Sequence, residues 1–188
     1  MSDFAATSNT MVTSTIRQDM TIADKNQLLA KARDFASSHN APAHETRPEL
    51  SLAIVTCMDS RIALFRLFDL DEGDAHIIRN AGGIVTDDVL RSLTVSQEFL
   101  DTREIFVIQH TDCGLHNASE TELNSKLKRE TGAQPEWELG GFPDVDDSVR
   151  RSIVLIRECP FIQHKDHVYG FVYDVKTRQL HEVTTEAP

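Results

Sequence analysis

Three residues able to bind a soft divalent metal, Cys57, His110 and Cys113, stand at or just past the ends of two apolar runs. The run LSLAIVTC at 50–57 ends in the first cysteine, EIFVIQH at 104–110 ends in the histidine, and Cys113 follows three residues later. Two thiolates and an imidazole from neighbouring strand ends suit Zn2+. Structural zinc sites usually close with four protein ligands, whereas three leave a position for water or substrate. No fourth Cys or His stands at finger-like spacing, so the count points to an open, catalytic site. Asp59 and Arg61 lie two and four residues beyond Cys57. A carboxylate there could accept a hydrogen bond from a metal-held water or coordinate the metal itself, and Arg61 could decide between the two by charge-assisted hydrogen bonds. Two thiolates would neutralise the dication, which makes a bound water harder to ionise than beside three neutral histidines. Activity at such a centre is expected to rise toward mildly alkaline pH.

To bring those side chains together the chain needs strands that end side by side. The β-branched run at 50–57 suits a strand buried on both faces, with the turn MDSR directly after it. Beyond it the pattern predicts a helix near 60–68, a strand at 75–80, a Gly82-Gly83 turn, and a helix near 86–100 with Thr86 or Asp87 as N-cap. A second buried strand at 104–110 precedes a polar helix near 119–130, a loop, a helix near 144–158 and strands near 168–174 and 179–184. Strands alternating with helices of this length predict an α/β fold, a central and mostly parallel sheet flanked by helices. In such sheets ligands bind past the carboxyl ends of the strands, where both clusters fall.

Residues 1–20, rich in Ser and Thr and without apolar periodicity, read as a flexible arm. With Arg17 as its only basic residue the arm matches a transit peptide poorly. The rest, 21–188, reads as one domain that begins with a helix over about 21–38, with Leu28, Leu29 and Phe35 on one face. The two-proline stretch HNAPAHETRPE is the linker into the main body.

Nineteen basic against thirty acidic side chains give a formal charge of −11, which argues against binding a nucleic-acid backbone or an anionic membrane surface. No apolar run approaches the length of a membrane span, and the start lacks a secretory pattern. Three cysteines, Cys57, Cys113 and Cys159, are an odd and widely spaced set, unsuited to a disulfide framework. A reducing, cytoplasmic compartment is expected. Cys159, before Pro160, reads as a small core thiol. Asp112 reads as a turn or cap residue, His116 as a surface histidine within reach of a proton-shuttle role, and Arg79 and Asn80 as braces of the site. Gly82, Gly83 and Gly114 read as permissive turn positions, and the Gly114 amide could point toward substrate.

The combination of C-x-D-x-R at Cys57 to Arg61, R-N-A-G at Arg79 to Gly82 and H-x-x-C-G at His110 to Gly114 resembles the β-class carbonic anhydrases. The likeness covers roughly residues 50–116 by motif. It implies that Cys57, His110 and Cys113 bind zinc, that Asp59 and Arg61 form a catalytic dyad, and that a zinc-bound hydroxide hydrates carbon dioxide reversibly to bicarbonate. It also implies a dimer or larger homo-oligomer with the N-terminal helix laid across the partner. Plant-type members carry a glutamine shortly before the first zinc cysteine, yet RPELSLAIV has none, and Gln109 stands where many relatives have glycine. The likeness is to compact members, a group that also includes hydrolases of carbonyl sulfide and carbon disulfide. Two alternatives therefore stand beside carbon dioxide hydration: hydrolysis of carbonyl sulfide to hydrogen sulfide and carbon dioxide, and a closed, non-catalytic zinc site with Asp59 as fourth ligand.

Overall fold

The computed structural model describes residues 23–38 and 45–184. The N-terminal arm and the first part of the linker lie outside the described residues. The chain divides into two units, the first containing helix α1, Lys25–Ser38, and the second the body from Glu45 onward. Asp24 caps α1 by accepting from the Asn26 amide at 2.8 Å. No residue of α1 is buried, and the apolar face holding Leu28, Leu29 and Phe35 is exposed at about half of each side chain.

In the body, β1 (Leu52–Cys57), α2 (Leu64–Phe68), β2 (Ala75–Asn80), α3 (Asp87–Leu100), β3 (Glu104–His110), α4 (Glu120–Thr131), α5 (Val145–Glu158), β4 (Val168–Tyr173) and β5 (Leu180–Val183) follow one another. The sheet order is β2-β1-β3-β4-β5. The first four strands are parallel and β5 is antiparallel to β4. The reason for that exception is local. Residues 174–179 form a tight turn in which Asp174 Oδ1 accepts from the amides of Lys176 and Thr177, and a connection this short permits only an antiparallel return.

Every residue of β1 is buried, as expected of a strand covered on both faces. On one face Val89 and Leu93 of α3 and Val149, Ile153 and Ile156 of α5 pack on Ala53, Val55, Ile105 and Val107. On the other, Ile54 and Ile108 pack under Ile62, Leu64 and Phe142. Both long helices start on a capping side chain: Thr86, one of the two caps expected for α3, accepts from the Val89 amide, and Asp144 Oδ1 accepts from the Asp147 amide at 2.9 Å. Replacing Asp144 with alanine is expected to destabilise the body by about 1 kcal/mol, read as a lower urea midpoint with unchanged slope.

One element is shorter than its pattern suggests. The helix expected over 60–68 contains only Leu64–Phe68, because Asp59 Oδ1 accepts from the Arg61 amide at 2.8 Å and closes a turn where the first helical residues would be. Ala63, with φ −92° and ψ 69°, completes the break. None of the described helices is long and apolar enough to cross a membrane.

Candidate metal centre

The sheet order reverses direction at β1, which has β2 on one side and β3 on the other, so the carboxyl ends of β1 and β3 flank a crevice. Pairing of Thr56 with Ile108 brings Cys57 and His110 to that crevice side by side. The loop after β3 returns Cys113 to the same place, and the donor atoms of Cys57, His110 and Cys113 lie within 4.8 Å of one another. Ligands around a tetrahedral zinc stand about 3.5–3.8 Å apart given its usual bond lengths, so the donors need close by no more than about 1.3 Å.

The chemistry of the three donors fits a metal. His110 is 1% exposed, its Nδ1 donates to the Thr111 carbonyl at 2.9 Å, and its Nε2 is buried with no hydrogen-bond partner. Fixing the proton on Nδ1 leaves the Nε2 lone pair directed at the two sulfurs, the tautomer a metal requires. Burial pushes the Cys57 thiol up, yet the pairing with His110 and the amides of Asp59 and Gly82 outweigh it and bring the thiol down to about 7. For His110, burial works against the charged ring, and the Cys57 thiolate overcomes it and raises the imidazole. Cys113 has fewer such donors, so burial and the neighbouring Cys57 charge push it up.

Asp59 and Arg61 sit at the rim. The Arg61 Nε donates to both Asp59 oxygens, at 3.0 and 3.2 Å, and Nη2 donates to Oδ2 at 2.7 Å. These bonds hold the Asp59 carboxyl at about 2, against a smaller upward push from burial. Asp59 Oδ2 stands 3.8 Å from His110 Nε2, so the carboxylate borders the space between the donors without bonding the imidazole. The metal-competent group comprises Cys57, His110 and Cys113; Asp59 is not part of it. A cavity of about 340 Å³ opens onto the centre, with Met58, Ala81, Gly82, Gly114 and Leu115 as its mainly apolar wall.

Of the remaining residues singled out by sequence, some brace this centre and others lie away from it. Arg79 braces the loop after β1, donating to the carbonyls of Cys57, Asp59 and Ile62. Asn80 donates to the Ile84 carbonyl at 2.8 Å and holds the glycine turn. His116 contacts the Pro143 carbonyl at 2.9 Å, a structural contact. Gln109 points to the opposite face from His110, where it donates to the Gly83 carbonyl and to Ser152, both at 3.4 Å. Cys159 is buried in the core beside Ile156 and Ile162, apart from the metal group. Two features escape residue-type reasoning: the Gly82 and Leu115 amides that meet the Cys57 and Cys113 sulfurs, and the bond from Arg61 Nη1 to Asp112 Oδ2. Backbone amides carry no sequence signal, and an ion pair spanning 51 residues is invisible until the sheet brings its ends together.

Gly83 shows how tightly the turn fits. Its φ is +63°, and a Cβ there would stand 2.6 Å from the Cys57 amide nitrogen and 2.8 Å from the Thr56 carbonyl carbon, both backbone atoms of β1. Gly83→Ala is expected to cost more than about 2 kcal/mol and to lower metal retention, because relief of the clash displaces Cys57. Thermal unfolding and metal analysis of the purified variant check this together.

The sheet is of the α/β class and carries at its switch point a Cys-His-Cys group that could hold a metal ion, with a carboxylate-arginine pair at the rim. The profile of the carbonic anhydrase family matches residues 52–140. β-Carbonic anhydrase 1 of Mycobacterium tuberculosis is 42% identical over 165 residues, covering 88% of this chain and 99% of the relative. A carbon disulfide hydrolase of Acidithiobacillus thiooxidans is 28% identical over 200 residues, covering 92% of this chain and 88% of that one. Among solved structures, the carbonic anhydrase of Streptococcus mutans superimposes with a TM-score of 0.81 at 37% identity, covering 88% of this chain and all of that one. The chain belongs to the β-carbonic anhydrase family. The five-stranded mixed sheet with flanking helices is the fold that resemblance implies.

Proposed function

We propose that this protein is a zinc enzyme that reversibly hydrates carbon dioxide to bicarbonate, with Cys57, His110 and Cys113 as the metal ligands. The observation that carries this reading is the Asp59 carboxylate, engaged by Arg61 at both oxygens and standing beside a three-donor group. That arrangement favours an open fourth position over a site closed by Asp59. Zinc, when bound, supplies a Lewis acid that lowers the pKa of water at the open position.

The protein's own residues do the rest. Asp59 accepts a hydrogen bond from the attacking water at the carboxylate edge facing the donors, which aims the oxygen lone pair at substrate. With its carboxyl held at about 2, Asp59 is ionised throughout the neutral and alkaline range, so the pH dependence expected above neutrality is not its own. Arg61 fixes Asp59, and the apolar wall of Met58, Ala81 and Leu115 suits a small uncharged substrate. The Gly114 amide is the candidate donor to a substrate oxygen. The three thiols, all unpaired, support a reducing, cytoplasmic setting.

Stopped-flow hydration of carbon dioxide by protein of known zinc content tests the proposal. Fast zinc-dependent turnover that rises from neutral to mildly alkaline pH is expected, and absent turnover in fully loaded protein overturns it. A second reading, hydrolysis of carbonyl sulfide, draws on the same apolar wall and on the carbon disulfide hydrolases among the relatives. Turnover of both substrates in one buffer separates the two, since a negligible sulfide yield removes the second.

The exposed apolar face of α1 supports a homodimer in which that helix covers the partner. Light scattering is expected to give at least twice the chain mass, and a monomer contradicts this assignment.

A further inference from the structure

Asp112 has no part in the mechanism above, yet it is the second anchor of Arg61. Arg61 Nη1 donates to Asp112 Oδ2 at 2.8 Å, and Nη2 donates to the Asp112 carbonyl at 2.9 Å. Asp112 belongs to the loop between His110 and Cys113, whereas Arg61 belongs to the loop after Cys57, so one guanidinium joins both ligand-bearing loops. The Asp112 φ of 56° lies in the left-handed region, which Asp and Asn adopt more readily than most residues. That backbone conformation lets the carbonyl and the carboxylate meet the same guanidinium.

A guanidinium offers five N–H donors in a rigid fork. In this molecule one side of the fork serves Asp59 and the other serves Asp112. Arg61 therefore cannot swing away from Asp59 without giving up Asp112. Asp59, whose Oδ2 is already 3.8 Å from His110 Nε2, has two destinations, the guanidinium or the space between the three donors. Whatever fixes Arg61 favours the first.

We propose that Asp112 is a positioning residue that anchors Arg61 across the two ligand loops and so keeps the Asp59 carboxylate off the fourth metal position. This rests on the reading of Cys57, His110 and Cys113 as a metal centre with an open face. The Arg61 and Asp112 side chains are 45% and 66% exposed, so water screens the pair. Its loss is expected to shift the balance of Asp59 positions by about three- to fivefold.

The test uses the full-length protein with Co2+ in place of Zn2+, titrated with thiocyanate and followed by visible absorption, in the wild type and in Asp112→Asn and Asp112→Gly. Asn and Gly both accept the backbone conformation at this position. Removing a negative charge near a cation should, by electrostatics alone, tighten anion binding. An anchoring role predicts the opposite sign: thiocyanate binds about three- to fivefold more weakly, because Asp59 now competes for the position, with Gly the larger effect. In an Asp59→Ala background the same changes should produce no weakening, which is the double-mutant signature of action through Asp59.

Tighter or unchanged binding in the Asp59-containing variants overturns the proposal, as does equal weakening in the Asp59→Ala background. Loss of cobalt from both Asp112 variants also overturns it, since Asp112 would then be structural. Carbon dioxide hydration by the zinc-loaded wild type is measured alongside. Its absence, together with the expected thiocyanate pattern, removes the proposed substrate while leaving the role of Asp112 supported.

Discussion

Replacing Asp59 with alanine is expected to lower carbon dioxide turnover by about 10²- to 10⁴-fold while leaving the metal content unchanged. The two halves of that outcome have separate causes. Asp59 lies outside the Cys57, His110 and Cys113 group, so its removal takes away no donor atom. What it removes is an acceptor that borders the space between the three donors, held in place by three donor groups of Arg61: its amide, Nε and Nη2. A water there loses its orientation, and proton transfer loses a fixed partner. The variant should fold, because Asp59 is at a rim rather than in the core. Stopped-flow kinetics and metal analysis on one preparation decide the matter. Full turnover would remove the role assigned to Asp59, and loss of metal would favour Asp59 as a ligand.

The second large effect is expected at Cys57. Cys57→Ser is nearly isosteric at the buried end of β1, so the sheet should survive. A serine hydroxyl, however, stays protonated at neutral pH and is a poor partner for zinc, whereas the Cys57 thiol is already drawn down to about 7. Metal retention should fall by more than about 100-fold and activity should approach the uncatalysed rate. The sign with pH follows from the thiol: retention by the wild type should improve as pH rises through about 7, where the thiolate forms without help from the metal. Normal zinc content and normal turnover in the variant would end the metal assignment. Circular dichroism on the same sample separates metal loss from unfolding.

Several regular elements are legible in the chain because their signals are local. The span of β3 coincides with the apolar run that ends in His110, and α3 begins where Thr86 offers a cap. The short α2 departs from expectation because side-chain bonding by Asp59 competes with helix formation, and that competition depends on a conformation rather than on composition. Gln109 illustrates the opposite case. Its place before the motif histidine attracts notice, but alternation along β3 turns it to the far face, against Ser152.

Sequence alone determined the residue types of this centre: two cysteines, a histidine, an aspartate and an arginine, at spacings that place each at or near a strand end. Those choices are chemical, and chemistry is carried by side-chain identity. Tertiary structure supplies two further observations, that Arg61 bonds the Asp59 carboxylate at both oxygens and that Asp112 holds the same guanidinium from the other loop. The first is bonding within one loop, between residues two apart, whereas the second depends on pairing β1 with β3 in one register, which brings together groups 51 residues apart. Hydrogen bonds act over about 3 Å, so no linear spacing encodes the second until the sheet has formed.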